Sequence, residues 1–270
     1  MSKEIGTIRE IYTGPPEFPE FMTSYIISDE KVAIIDPGPN NSIADYSALI
    51  SKLDYIILTN VDIERAGAIN TLLSRFPTSE LIVYKGGREL LENPKEINEL
   101  ALRKLGNIGN ILGSIFPVKG KINEVEEGDE IVLGFRRLRI IHTPGVSKIS
   151  MSIDMNKIVF TGDMNKIVFT GSSIGCRLNG VVFPSLYYEF DYNRLMKTIE
   201  KLLRLKPIVI ALYQAGLTNA KHLNEFYEFI SNISTMSYGK KIEELLSTGI
   251  VNDFLNEYLE ISFKLINLFH

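Results

Sequence analysis

The chain has 270 residues, of which 45% are hydrophobic and 23% are charged, and its formal net charge is −4. This length can bury the core of one large domain, and the near-neutral balance lacks the basic surface of a nucleic-acid-binding protein. No run of about eighteen apolar residues predicts a membrane span, and the single cysteine, Cys176, excludes an internal disulfide and favours a cytoplasmic location.

The first half of the chain alternates strand patterns with helix patterns. Short apolar runs typical of buried strands occupy residues 25–28, 32–35, 55–58 and 81–84. Apolar residues at helical spacing occupy residues 42–52, 64–75 and 87–105. We expect the last of these helices to be interrupted near Pro94, because proline breaks a helix interior.

The second half begins with strands and ends with helices. Residues 118–170 have a mainly strand pattern, within which 149–153 and 158–161 predict a hairpin. One buried strand follows at 207–212, and residues 221–232 and 239–268 have helical spacing. Strands that alternate with helices around a β-rich middle predict a layered α/β or α+β domain with its sheets at the centre.

A nine-residue segment is repeated in tandem. Residues 154–162 and 163–171 both read Asp-Met-Asn-Lys-Ile-Val-Phe-Thr-Gly. A solenoid needs several repeats of ~20 residues or more, so this is a local duplication. We predict that one copy forms the expected strand and that the other loops out or extends a sheet edge. Removing either copy places Ser172 directly after Phe-Thr-Gly, so the chain before the duplication had serine there.

Several segments, in order, resemble the metallo-β-lactamase superfamily, in its glyoxalase II-like branch. Residues 23–38 look like its opening hairpin, which ends in Asp-x-Gly, and residues 58–67 are similar to its motif Thr-His-x-His-x-Asp-His-x-Gly. Residues 141–146 resemble its Thr-Pro-Gly-His turn, and residues 160–163 match its Phe-Thr-Gly-Asp strand end. Residues 209–216 lie where the family has an apolar strand that ends in Gly-His.

The resemblance implies a fold and a chemistry. The fold is a four-layer αβ/βα sandwich over residues 1–220, with two sheets inside and helices outside, and a C-terminal helical segment at 221–270 packed on it. Members of the family hold one or two zinc-like ions with imidazole and carboxylate ligands. These ions activate a water molecule for hydrolysis.

The sequence departs from the family at the metal ligands. The former ligand positions are Asn60, Asp62, Glu64, Arg65, Val146, Asp163 and Gln214. Only Asp163 keeps the family's residue, and it lies at the junction of the duplication. Valine has no lone pair to donate, and arginine cannot deprotonate to offer one. We therefore expect no metal cofactor and no catalytic residue among these positions. The alternative is one or two divalent cations held by Asp62, Glu64 and Asp163, with Asn60 and Gln214 as further ligands.

Each polar side chain of residues 60–65, which follow the predicted strand at 55–58, has two interpretations. Arg65 either replaces the metal by pairing with Asp62, Glu64 or Asp163, or is an ordinary surface arginine. Asn60, Asp62 and Glu64 either form an oxygen-rich site for a cation such as Mg²⁺ or Mn²⁺, or make a polar turn in which Asn60 or Asp62 caps the next helix.

The three histidines and Cys176 occupy none of the seven former ligand positions. We expect His142 to have a structural, hydrogen-bonded role, and His222 and His270 to be solvated. Cys176 is expected to be inert and not a thiolate nucleophile, because no histidine base lies near it in sequence.

Three functional hypotheses follow. The first, which we favour, is a non-hydrolytic binding or regulatory pseudoenzyme that pairs with itself or with an unknown protein. The second is a hydrolase of thioesters or other esters with an altered, oxygen-rich metal site. The third is a metal-free enzyme that uses the same cleft. None of the three predicts a nucleic-acid or membrane partner.

Overall fold

The computed structural model divides the chain into strands and helices that follow most of the predicted pattern. It describes residues 4–5, 7–16, 18–42, 44–157, 166–178, 180–186, 189–232, 243 and 253–267. Within these ranges no helix is both long enough and apolar enough to cross a bilayer.

The first central sheet contains, within the described ranges, seven strands that neighbour each other in chain order. They are β1 (Glu4–Ile5), β2 (Ile8–Tyr12), β3 (Thr23–Ser28), β4 (Val32–Ile35), β5 (Tyr55–Ile57), β6 (Glu80–Tyr84) and β7 (Ile122–Val125). Strands β1 to β4 are antiparallel, whereas β4 to β7 are parallel. Parallel neighbours need crossover connections, which here are mostly helical.

The helices of this half lie in those connections. They are α1 (Ile63–Ala66), α2 (Ile69–Arg75), α3 (Gly87–Glu92), α4 (Lys95–Leu105) and α5 (Asn107–Leu112). The interruption predicted near Pro94 separates α3 from α4. The helix predicted over 64–75 is divided at Gly67, where a Cβ atom would lie only 2.0 Å from the backbone nitrogen of Asn40.

The helix predicted over residues 42–52 is wrong. The described part of this segment contains only a 3-10 turn at Tyr46–Ala48. Asp45 accepts hydrogen bonds from both the backbone nitrogen and the hydroxyl of Ser47, and the hydroxyl of Tyr46 reaches back to the carbonyl of Pro37 at 2.6 Å. Such local side-chain bonds compete with helix formation, and they outweigh the apolar spacing here.

The second central sheet has the order β15-β14-β11-β10-β9-β8 in the part of the chain that is described. Its strands are β8 (Glu130–Val132), β9 (Arg136–His142), β10 (Met151–Lys157), β11 (Ile167–Gly171), β14 (Val209–Leu212) and β15 (Leu217–Asn219). Strands β12 (Cys176–Leu178) and β13 (Val181–Phe183) form a separate ribbon. The later helices are α6 (Tyr192–Arg204), α7 (Lys221–Ser231) and α8 (Asp253–Asn267).

Two buried clusters of apolar side chains hold the four layers of the structure together. Between the sheets, Ile27 and Ile57 of the first sheet share a buried cluster with Ile140 and Phe169 of the second. The outward-facing residues of both sheets belong to a second cluster that contains the buried residues of the helices, such as Leu195 of α6. Helices therefore cover both outer faces, as the expected αβ/βα sandwich requires.

The C-terminal helices pack on the rest of the protein. Helix α7 contacts α6 and β13, and α8 contacts α4 and α5. The domain boundary at residue 220 stays a prediction. Of the helix expected over 239–268, the described part begins at Asp253, apart from residue 243.

The tandem duplication is divided between two neighbouring strands. The start of the first copy, Asp154 to Lys157, completes β10, and the end of the second copy, Ile167 to Gly171, forms β11. The second copy therefore supplies the strand that was expected from one copy, while the described part of the first copy continues β10. The loop or edge extension predicted for the other copy stays a prediction. Residues 158–165, which include Asp163 and the strand expected at 158–161, lie outside the described residues.

Deleting residues 158–166 should leave the fold intact, because closing a shorter connection costs roughly 1 to 2 kcal/mol less entropy, which offsets the lost pairing of Asn156 and Lys157 with β9. Met155 already pairs with Ile167, so the deletion leaves Asn156 and Lys157 as a two-residue hairpin loop. Asparagine suits the left-handed backbone of such loops. Urea unfolding followed by circular dichroism measures the change, and loss of a cooperative transition would contradict the strand assignment.

Candidate functional site

A buried polar cluster lies where strands of both sheets end. Asp36 follows β4, residues 60–65 follow β5, Ser172 follows β11, and Gln214 lies just beyond β14. We call the whole group the Arg65 cluster. It consists of Asp36, Asn60, Asp62, Glu64, Arg65, Ser172, Tyr213, Gln214 and Tyr258. No member is more than 8% exposed, and Arg65 is 0% exposed.

The guanidinium group of Arg65 lies at the centre of the cluster. Its Nη1 donates to Oδ2 of Asp62 at 2.6 Å, and its Nε lies 3.5 Å from Oδ2 of Asp36. Its Nη2 donates to the hydroxyl of Ser172. Its Cζ lies 4.0 Å from the centre of the Tyr213 ring, which is within cation–π range. Charge, hydrogen bonds and ring contact therefore all converge on one side chain.

Local sequence places the carboxylates that face Arg65. Asp62 is the N-cap of α1 and accepts from the backbone nitrogen of Arg65 at 3.1 Å, while the amide of Asn60 donates to Asp62 at 3.0 Å. Asp36 has a left-handed backbone with a φ of 51°. It accepts from the nitrogen and hydroxyl of Thr59 at 2.8 and 2.6 Å. Of the two caps expected from the sequence, Asp62 is the one that forms.

Glu64 joins the Arg65 cluster to the C-terminal helix. Its Oε1 accepts from Nε2 of Gln214 and from the hydroxyl of Tyr258, each at 3.1 Å, and its Oε2 lies 3.7 Å from Nη1 of Arg65. Gln214 also donates to the Tyr258 hydroxyl at 2.9 Å and accepts from Ser185 at 2.8 Å. Glu64 is thus held from two sides of the molecule.

Burial shifts the protonation equilibria of these groups. It raises the pKa of Glu64 to about 8, against a lowering by Arg65 and with a further raising by Asp62. It raises the pKa of Asp36 to about 6, against the opposing effects of Arg65 and Thr59. Burial alone would lower the pKa of Arg65, but the charges of Asp62, Glu64 and Asp36 raise it above its ordinary value. Arg65 is therefore permanently charged.

Five of the seven former ligand positions are members of the Arg65 cluster. They are Asn60, Asp62, Glu64, Arg65 and Gln214. Val146, after β9, is 3% exposed and lies in the apolar core. Asp163 lies outside the described residues. The interpretation of Arg65 as a surface arginine is wrong, because the turn after β5 carries it inward.

Four members of the Arg65 cluster were not among the candidate residues taken from the sequence. The sequence could have indicated Ser172, because it directly follows the second Phe-Thr-Gly and so occupies the position of the family's aspartate. Asp36 lies in the recognised Asp-x-Gly turn. Tyr213 and Tyr258 carried no signal, since nothing in the sequence around Tyr258 relates α8 to the end of β5.

The residues of the Arg65 cluster do not fit a zinc-like ion. A guanidinium offers no lone pair, and it brings a positive charge to within 2.6 Å of the carboxylate best placed to bind a cation. Val146 offers only methyl groups, and the amide of Gln214 is already bonded to Glu64, Tyr258 and Ser185. Among the described residues, no group of three or more His, Cys, Asp or Glu side chains is arranged to hold a metal ion.

The remaining candidates lie outside the Arg65 cluster. His142 stacks on Tyr84 with ring centres 4.3 Å apart, and its Nε2 contacts the carbonyl of Lys148 at 2.8 Å. The expectation that His222 is solvated is wrong. It lies on the buried face of α7 with its Nε2 2.8 Å from the carbonyl of Ile174, and burial lowers its pKa to about 4. Burial raises the pKa of the Cys176 thiol, which disfavours the reactive thiolate. His270 lies outside the described residues.

Comparison with known proteins gives a consistent result. The family model for the metallo-β-lactamase superfamily matches residues 19–213. A metallo-β-lactamase fold-containing protein of Sulfurisphaera tokodaii is 32% identical over 263 residues, which is 95% of each chain. The crystal structure of this same archaeal protein, given there as from Sulfolobus tokodaii, has a TM-score of 0.83 at 29% identity, over 98% of this chain and 100% of that one. A metallo-β-lactamase of Cronobacter sakazakii with a HARLDQ motif has a TM-score of 0.62 at 16% identity, over 92% and 98% of the two chains. The similarity to the Cronobacter sakazakii protein, at 16% identity, shows the fold alone.

Replacing Arg65 with methionine should lower the free energy of unfolding by about 3 to 5 kcal/mol, because it leaves buried carboxylates without a compensating charge. The matched control is Arg103→Met at an exposed position of α4, which should change stability by no more than about 0.5 kcal/mol. Urea unfolding of both variants makes the comparison. Equal effects would contradict the central role of Arg65.

The free energy of unfolding should fall as the pH rises from about 6.5 to 8, and Glu64→Gln should remove most of this fall. The pKa of Glu64 is raised from 4.5 to about 8 on folding, so in this range the folded state keeps a proton that the unfolded chain has lost. The fall is at most about 1.4 kcal/mol per pH unit. The raised pKa of Asp36 contributes a fall that ends near pH 6, and the pKa of His222, lowered from 6.5 to about 4, contributes a rise that ends near pH 6.5. Urea unfolding at several pH values checks the slope, and an equal slope in wild type and Glu64→Gln would contradict the assignment.

Proposed function

This chain belongs to the metallo-β-lactamase superfamily, and we propose that it is a non-hydrolytic member that acts by binding or regulation, alone or with a protein partner. The observation that carries the proposal is the Arg65 guanidinium, which is fully buried and lies 2.6 Å from Asp62. A shared fold does not by itself give a shared activity, so the argument depends on these residues.

The electrostatics of the Arg65 cluster support this proposal. Carboxylates buried without compensation are costly, and in a metallohydrolase the metal ions supply the compensation. In this chain Arg65 supplies it to Asp36, Asp62 and Glu64. A divalent ion added beside a permanently charged guanidinium would be repelled, because the buried surroundings screen charge poorly.

The hydrogen bonding of the cluster supports it as well. Hydrolysis needs a water molecule that is activated and can reach the substrate. Glu64 and Gln214 are engaged with each other and with Tyr258, and both are 0% exposed. Of the polar side-chain atoms of these two residues, only Oε2 of Glu64 has no hydrogen-bond partner, and it lies 3.7 Å from the charged Nη1 of Arg65, where a further cation would be repelled.

The wild-type protein should bind no stoichiometric Zn²⁺, Mn²⁺ or Fe²⁺, and should hydrolyse thioesters and other esters no faster than an Asp62→Ala variant. Elemental analysis after incubation with each metal, together with isothermal titration calorimetry, measures binding. One equivalent of metal that Asp62→Ala removes would overturn the proposal and favour the hydrolase with an oxygen-rich site.

A variant with restored imidazoles provides the positive control for this measurement. Asn60→His/Asp62→His/Arg65→His places three neutral metal ligands at the end of β5 and removes the competing positive charge. It should gain affinity for Zn²⁺ relative to the wild type. That gain would show that the side chains, and not access to the site, prevent binding in the natural sequence.

A further inference from the structure

Helix α8 covers the Arg65 cluster although it is far from it in sequence. Tyr258 of α8 is fully buried and donates its hydroxyl to Oε1 of Glu64 at 3.1 Å. The same hydroxyl accepts from Nε2 of Gln214 at 2.9 Å and from the backbone nitrogen of Leu186 at 3.3 Å. One side chain of α8 therefore bonds to three separate segments of the chain, two of which belong to the Arg65 cluster.

Aromatic packing holds the same face of α8 in place. The ring of Phe21 meets the rings of Tyr258 and Phe254 edge-on, with centres 4.8 and 6.3 Å apart. Phe263, five residues after Tyr258 and on the side of the buried surface of α8 that faces α7, has its ring centre 6.1 Å from that of Phe229. Edge-on pairs of this kind each contribute to docking, so α8 is attached by its side chains.

The attachment of α8 differs from that of the strands. Both central sheets complete their backbone pairing without α8, whose neighbours are α4, α5 and the aromatic residues. Among the described residues, α8 makes no backbone hydrogen bond to another element, and a helix bound through its side chains can open while the hydrogen-bonded sheets stay folded. Opening α8 would remove Tyr258 from Glu64 and Gln214 and expose those two side chains.

We propose that α8 is a displaceable cover that closes the Arg65 cluster to ligands, with the Tyr258 hydroxyl as its polar attachment point. This inference rests on the proposed binding or regulatory function and specifies how access to that site is controlled. A ligand of the Arg65 cluster binds the form in which α8 is displaced, so the stability of α8 docking sets the apparent affinity.

Hydrogen exchange with mass spectrometry on the full-length protein tests the cover. In the wild type, amides of α8 should exchange faster than the slowest amides of β5 and β10, which need global unfolding. Tyr258→Phe keeps the ring and removes the hydroxyl, and it should lower the protection of α8 by about tenfold or more while leaving that of α6 unchanged.

The matched control is Tyr213→Phe. The Tyr213 hydroxyl donates to the backbone carbonyl of Glu64 and does not bond to α8. Its loss should lower global stability without changing the local opening of α8. Equal effects of the two variants on α8 would overturn the proposal.

The wild-type measurement decides the question even if a variant does not fold. If α8 exchanged only as slowly as the central strands, it would be a permanent part of the core and the cover would be excluded. That result would leave the metal-binding measurements unaffected. Stoichiometric metal in the wild type would overturn the proposed function without changing the exchange rates of α8.

Discussion

A guanidinium group buried away from water keeps its charge only where negative groups replace its lost hydration, and this constraint governs the centre of the protein. Arg65 is fully buried and has Asp62 at 2.6 Å, Asp36 at 3.5 Å and Glu64 at 3.7 Å. Each carboxylate comes from a chain segment that follows a strand of the first sheet. The charge of Arg65 therefore ties the end of β4 to the turn after β5, and through Ser172 to the second sheet.

The same constraint explains why Glu64 differs from its neighbours. One guanidinium cannot compensate three buried carboxylates at full charge. Glu64 is bonded to the neutral side chains of Gln214 and Tyr258, and its pKa is raised to about 8. Arg65 lies closest to Asp62 and Asp36, at 2.6 and 3.5 Å, and Glu64 is the most distant of its three carboxyl partners at 3.7 Å. Tyr258 and Gln214 complete the hydrogen bonding of Oε1 and bring α8 and the end of β14 into the cluster.

The duplication shows how a sheet tolerates an insertion. The extra residues fall between β10 and β11, and Ile153 still pairs with Phe169 and Met155 with Ile167. A shift of one residue would move Ile167 and Phe169 from the layer between the sheets to the outer, helix-covered face and Val168 the opposite way, so the strand keeps the register that fits both layers. That register also places Ser172, directly after β11, within reach of Arg65.

Most of the fold could be predicted from the sequence, because strand and helix periods report which faces are buried, as in β4, β6 and the break between α3 and α4. The sequence also determined that Arg65 and Val146 cannot hold a metal, since this follows from the side chains alone. Only the tertiary structure decided that Arg65 is buried, that Ser172 contacts it in the described structure, and that Tyr258 reaches Glu64. These contacts join residues far apart in the chain, and local patterns carry no information about which distant side chains the packing of sheets and helices brings together.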